Sequence, residues 1–307
     1  MNFLFRSFCH HYKKLTAVFR LAVWLCLFAA LPACEKDISS SVTIDTEPQL
    51  VVSAFISPQD SVLQVKVSQS RPVIGIYPTG EEAEITNATV KLSQGGRTIT
   101  FTYSATPGRR IYEADPTSLP ILPGQTYTLV VTTPDGHQVT AACTVPTVEG
   151  VTISDLKLSA RKATMSDGHE YDEHTFSYKW QDAPGVENFY QTLTEKESKD
   201  PQTNNLVRYQ LYNNDDLFTD ERKDGQTFAA SERYQVFPGQ PNPKPYNLHV
   251  CLAVTDRAYY LYHQSIKKQQ ETNGNPFAEP VLIYSNVTGG IGIFSAYNQI
   301  KATLKVE

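Results

Sequence analysis

Apolar and polar residues alternate along the chain from Leu50 to Pro146. Leu50–Ile56 is a compact apolar run closed by Ser57-Pro58. Leu63, Val65 and Val67 alternate with Gln64, Lys66 and Ser68, and Val90 and Leu92 flank Lys91 before Gly95-Gly96. Ile99, Phe101 and Tyr103 then alternate with threonines. Pro123-Gly124 opens a segment with Tyr127, Leu129 and Val131 on one face, and Pro134-Asp135-Gly136 turns it back through Gln138 to Val145. A period of two puts one face on a core and the other in water. Six or seven such strands in about 100 residues predict an immunoglobulin- or fibronectin-like sandwich over residues 48–147.

Pro146 to Gly150 interrupts the pattern, and residues 148–307 read as a second β-rich domain. Strand-like segments fall at Thr152–Leu158, Thr175–Trp180, Asn188–Thr194, Leu206–Tyr212, Tyr246–Val254, Val281–Tyr284 and Ile291–Tyr297. One helix is predicted from Asp256 to Gln270. Asp256 is placed to cap it, and Ala258, Tyr259, Leu261, Tyr262, Ser265 and Ile266 recur at helical spacing. The expected fold class is therefore mainly β: a sandwich, then a β-rich domain with one helix. Seventeen tyrosines and fourteen phenylalanines agree with that reading.

The first 33 residues differ. They carry Arg6, Lys13, Lys14 and Arg20 and no acid, and then the run Leu21–Ala33. That order is a basic segment followed by an apolar one, as in an export signal. The run is too short to cross a bilayer of roughly 30 Å, and Pro32 opposes a continuing helix. Its removal takes four of 27 basic side chains and none of 32 acidic ones, leaving a net charge of −9. An acidic chain is a poor match for phosphate backbones, so nucleic acid is not an expected partner.

Leu31-Pro32-Ala33-Cys34 resembles a bacterial lipobox. Cys34 is the expected lipidation site, bearing a diacylglycerol on its thiol and a further acyl chain, such as palmitate, on its freed amine. Two chains anchor firmly where one is marginal. Glu35-Lys36-Asp37 resembles the signal that exports Bacteroidetes lipoproteins to the exterior of the outer membrane. Residues 34–47 then read as the lipidated cysteine and a polar tether. Of the remaining cysteines, Cys143 lies on an alternating apolar face and reads as a buried thiol rather than half of a pair with Cys251.

Candidate chemistry is sparse. His169 and His174 sit among Asp167, Glu170, Asp172 and Glu173, but their spacing of five puts them on different faces of a helix, unlike a zinc-protease pair. A hairpin tip is the expected setting. Asn213-Asn-Asp215-Asp216 and Asp220-Glu221 lack the glycine of a calcium loop. Gly289-Gly290-Ile291-Gly292 lacks the third glycine of a dinucleotide loop and reads as a close approach at a late strand. Tyr259, Tyr260 and Tyr262 are expected to pack the helix rather than form a binding surface. No catalytic, metal or cofactor residue is assigned, and the chain is expected not to be an enzyme.

Five further stretches join the lipobox segment: Leu50-Val-Val-Ser-Ala-Phe-Ile56, Pro123-Gly-Gln-Thr-Tyr127, Thr144-Val-Pro146, Asn275-Pro-Phe-Ala-Glu-Pro280 and Ser285-Asn-Val-Thr-Gly-Gly-Ile-Gly-Ile-Phe-Ser-Ala-Tyr297. Together they resemble a family of Bacteroidetes outer-membrane lipoproteins known as a domain of unknown function. The S-N-x-x-G-G-x-G-x-F stretch is its most specific part. Members often occur beside TonB-dependent receptors. The resemblance thus implies a binding or accessory subunit for a TonB-dependent β-barrel transporter. A structural or adhesive surface lipoprotein without such a partner is the alternative.

Overall fold

The computed structural model describes residues 48–70, 83–106, 109–211, 216–239, 242, 244–272, 279 and 281–307. Cys34 and the stretches read as leader and tether lie outside the described residues. The strands are β1 (Leu50–Ile56), β2 (Leu63–Gln69), β3 (Thr89–Gln94), β4 (Arg97–Thr100), β5 (Thr102–Thr106), β6 (Arg109–Ala114), β7 (Thr126–Thr132) and β8 (Gln138–Thr144). They continue as β9 (Thr152–Thr164), β10 (Glu170–Gln181), β11 (Phe189–Lys199), β12 (Leu206–Gln210), β13 (Leu217–Thr219), β14 (Thr227–Val236), β15 (Tyr246–Thr255) and β16 (Ile291–Val306). One helix is described, α1 (Arg257–Thr272). The protein is mainly β, as the alternation predicts.

A nine-stranded sheet runs in the order β12-β11-β15-β16-β1-β2-β6-β5, with β13 also paired to β11. A four-stranded sheet, β4-β3-β7-β8, and a three-stranded sheet, β14-β10-β9, complete the fold. The first cluster of buried residues takes Val52, Ala54, Val65, Val90, Leu92, Leu129, Val131 and Val139 from alternating positions of β1, β2, β3, β7 and β8. These are the inward positions the pattern assigns. The second cluster is aromatic: Phe176, Tyr178 and Trp180 from β10, Tyr190 from β11 and Phe228 from β14, with Leu248, Val250 and Leu252 from β15.

One strand serves both clusters. Phe294 and Ala296 of β16 join the first, and Ile300, Ala302, Leu304 and Val306 line the second. Asn298, between the two sets, is 2 % exposed. Its Nδ2 donates to the Pro146 carbonyl at 3.0 Å and its Oδ1 accepts from Gln59 Nε2 at 2.9 Å. A polar residue is affordable at this junction because both ends of its amide are paired.

Several elements differ from expectation. The Ile99–Tyr103 segment is two strands, because the chain changes sheets at Phe101: β4 pairs with β3 and β5 pairs with β6. Such switches let one segment form a corner between layers. The sequence pattern predicts no strand at β6, β13 or β14. Along β14, Ala229-Ala230 and the inward Glu232 break the apolar alternation. Val281–Tyr284 is not a strand. β10 starts at Glu170, so His174 lies within a strand instead of at a hairpin tip.

Candidate functional site

Helix α1 begins where Asp256 caps it. Its Oδ1 accepts from the Tyr259 amide at 2.8 Å. The same carboxylate accepts from Ser295 Oγ at 2.6 Å and from the Ala296 amide at 3.0 Å. The cap thus ties the helix to β16 as well as satisfying its first turn. Burial raises the Asp256 carboxyl above its usual range, and these hydrogen bonds act against that.

The helix lies on the face of the nine-stranded sheet opposite both clusters. Tyr259 meets Phe55 of β1 with ring centroids 5.4 Å apart, and Tyr260 meets Phe189 of β11 at 4.9 Å. Tyr262 also packs on Phe55 at 6.0 Å. The three tyrosines therefore pack the helix, as its spacing predicts. Along the flank of α1 a groove of about 360 Å³ remains. Phe55, Leu193, Ala253 and Tyr297 line it from the sheet, with Gln191, Gln299 and Cys251. Tyr259 and His263 line it from the helix. This volume falls within the range of small-molecule sites.

The electrostatics of the groove are muted. Burial raises the Cys251 thiol, which disfavours its thiolate. The Tyr297 phenol is pushed up to about 12, first by burial and then by Asp60, to which its hydroxyl donates at 3.4 Å. Gln191 Oε1 accepts from the Tyr259 hydroxyl. The groove therefore offers rings, amides and neutral hydroxyls.

A family described as a domain of unknown function (DUF4249) matches residues 35–303. The chain belongs to the DUF4249 family. No curated protein matches it. Among solved structures, a chain of a cytokine receptor complex aligns at 11 % identity, covering 68 % of this chain and 85 % of that one with a TM-score of 0.22. A likeness that weak carries no argument.

In this DUF4249 chain the Ser285-to-Phe294 motif is structural. Asn286 acts as a short surrogate strand: its Nδ2 donates to the Phe294 carbonyl at 2.7 Å and its Oδ1 accepts from the Phe294 amide at 3.0 Å. Ser285 Oγ accepts from the Gly292 amide at 3.1 Å. A Cβ on Gly292 would meet the Val52 carbonyl oxygen at 1.9 Å, and one on Gly290 would meet that of Leu50 at 2.3 Å. Gly292 also has φ +129°. The glycines are there so that β16 can lie against β1.

The other sequence candidates are dispersed. His169 is at the β9–β10 turn, 3.1 Å from Asp167, while His174 stacks on Tyr234 at 5.0 Å. Of the acidic run, Asp215 falls outside the described residues. Asp182, Asp220 and Asp224 place one oxygen each within 4.8 Å of one another, a grouping that spacing did not reveal. Each carboxylate has at least one oxygen engaged. Asp182 binds the Tyr190 hydroxyl and the Gly225 amide, Asp220 the Asn188 amide, and Asp224 the Gly185 amide. They lash two loops together. Cys143 and Cys251 are both free, and Cys143 is buried.

Farther along the helix-bearing face, Thr303 Oγ1, His249 and Glu197 stand in line. His249 Nδ1 is 2.8 Å from Thr303 and Nε2 is 3.6 Å from Glu197. Burial, then Lys301, lowers the His249 imidazole below its usual value. That order is the one a nucleophilic relay uses. Here, however, Arg208 Nε holds Glu197 at 2.6 Å, and Thr303 is exposed on the sheet surface.

Proposed function

We propose that this protein is a cell-envelope lipoprotein, anchored by lipid on Cys34 to the outer membrane and facing the exterior. It works as a non-catalytic binding or accessory subunit for a TonB-dependent transporter. One observation carries the reading: a basic segment, a short apolar run and Leu31-Pro-Ala-Cys34 occur in order, and the family match begins at the next residue. Double acylation would hold the fold at the membrane without a spanning helix. Among the described residues no helix is long and apolar enough to cross a membrane. The groove beside α1 supports a binding role, because it is concave and lined by aromatic rings and amides.

Palmitate labelling of the full chain and of Cys34→Ser tests the anchor; labelling is expected in the first and absent in the second. Affinity capture from native membranes in mild detergent tests the partner. A stoichiometric TonB-dependent barrel is the expected result. Its absence moves the reading to a free-standing structural or adhesive lipoprotein.

A further inference from the structure

We propose that the groove between α1 and the sheet binds a neutral saccharide. The inference rests on the binding role above and names its ligand class. Three features of the lining point to it. The aromatic walls are set at angles: Phe55 and Tyr259 at 72°, Tyr259 and Tyr297 at 60°. A flat aromatic ligand wants parallel faces on both sides. These rings touch one another and present an angled apolar surface rather than a slot, a surface on which the C–H groups of a puckered ring can pack.

The second feature is the pair of amides. Gln191 and Gln299 stand on β11 and β16, on either side of β15, and both line the groove. A primary amide presents a donor and an acceptor in one plane, the complement of neighbouring hydroxyls; Gln191, whose Oε1 already accepts from Tyr259, contributes its Nε2 donor beside the Gln299 amide. The third is charge. Among the described residues the groove is lined without lysine, arginine, aspartate or glutamate, and His263 is its one basic side chain. The adjoining hollow on the helix, about 390 Å³, is different and includes Lys267 and Glu271. A cation entering the first groove would be desolvated without a counter-ion, and an anion would meet only the His263 imidazole, so a hydroxylated neutral ligand loses less on entry.

The test is calorimetric titration of the full detergent-solubilised chain with short neutral oligomers of glucose, galactose, mannose, xylose and N-acetylglucosamine. Neutral tripeptides and nucleosides serve as comparators. One saccharide class is expected to bind. Gln299→Ala should weaken it about five- to tenfold, the size of one lost hydrogen bond. Gln299→Trp should abolish it by filling the groove, with an unchanged melting temperature showing that the variant folds. If that variant does not fold, the Gln299→Ala result decides. The inference is overturned if no saccharide binds at millimolar concentration, if peptides or nucleosides bind instead, or if both Gln299 variants bind as the parent does. A transporter captured without saccharide binding removes this inference and leaves the accessory role. Saccharide binding without a transporter does the reverse.

Discussion

Two cores share one face of the nine-stranded sheet, and they are made differently. The first is aliphatic, built on valine and leucine at alternating positions of short strands. The second is aromatic, with Trp180 stacked on Phe228 at 5.1 Å and edge-on to Phe218 at 5.0 Å. Buried polar groups divide unequally as well. Asp182, Asn188, Asp220 and Glu232 lie beside the second core, whereas Ser57 and Thr133 are buried beside the first. A core of small branched side chains closes without polar help. A core of large rings leaves gaps and hydrogen-bonding atoms that neighbouring polar groups must meet. The second region is also where the groove takes most of its lining, so the simpler core acts as a scaffold.

The sharpest way to break this arrangement is Gly292→Ala. The added Cβ cannot coexist with the Val52 carbonyl, and the φ of +129° disfavours any side chain. A loss of about 4 kcal/mol or more is expected, through separation of β16 from β1. Urea unfolding monitored by far-ultraviolet dichroism and by Trp180 fluorescence checks it. Coincident transitions in the parent should become separate ones in the variant, since β16 links the cores.

Next come the cores themselves. Trp180→Ala should cost about 4 kcal/mol and Leu129→Ala about 3 kcal/mol. Chemical denaturation of both variants reads the difference, and equal or reversed costs would remove the contrast between an aromatic and an aliphatic core.

Acid–base behaviour sharpens the comparison. Glu232 is 8 % exposed, and burial, with Asp216 as a lesser cause, raises its carboxyl to about 7. The folded chain therefore holds this proton more tightly than the unfolded one. Its contribution favours the fold most below about pH 4.5 and declines as pH rises to about 7, by up to about 3 kcal/mol. Glu232→Gln should lose that decline. Subtracting the two stability-versus-pH curves isolates it from the other carboxylates.

The smallest effect is in the first region. The Tyr127 hydroxyl accepts from the Leu122 amide at 2.8 Å and donates to the Pro120 carbonyl at 2.7 Å. This is the arrangement of a tyrosine corner. Tyr127→Phe should cost about 1 kcal/mol, measured by the same denaturation.

Legibility in the sequence follows the same divide. Strands β1, β2, β3, β7 and β8 could be read because each side chain obeys its own position in a two-residue period. Strand β14 could not, because Glu232 points inward where the period calls for an apolar residue. The helix and its Asp256 cap were readable from local spacing. The face of the sheet that it covers was not. The glycines before β16 could be read as a close approach, though not the carbonyls they approach.

Sequence alone determined the mainly β character and the helix with its cap, and it carries the basic segment, apolar run and Cys34 on which the proposed anchoring rests. Each of these is written in residues a few positions apart. The tertiary structure decided what distant segments make together: Val51 opposite Ile291 in a parallel pair, and Phe55, Gln191, Tyr259 and Gln299 around one groove. Periodicity records which way a side chain faces. It holds no record of which strand will lie alongside, because that choice is settled by burial and hydrogen bonding across the whole chain.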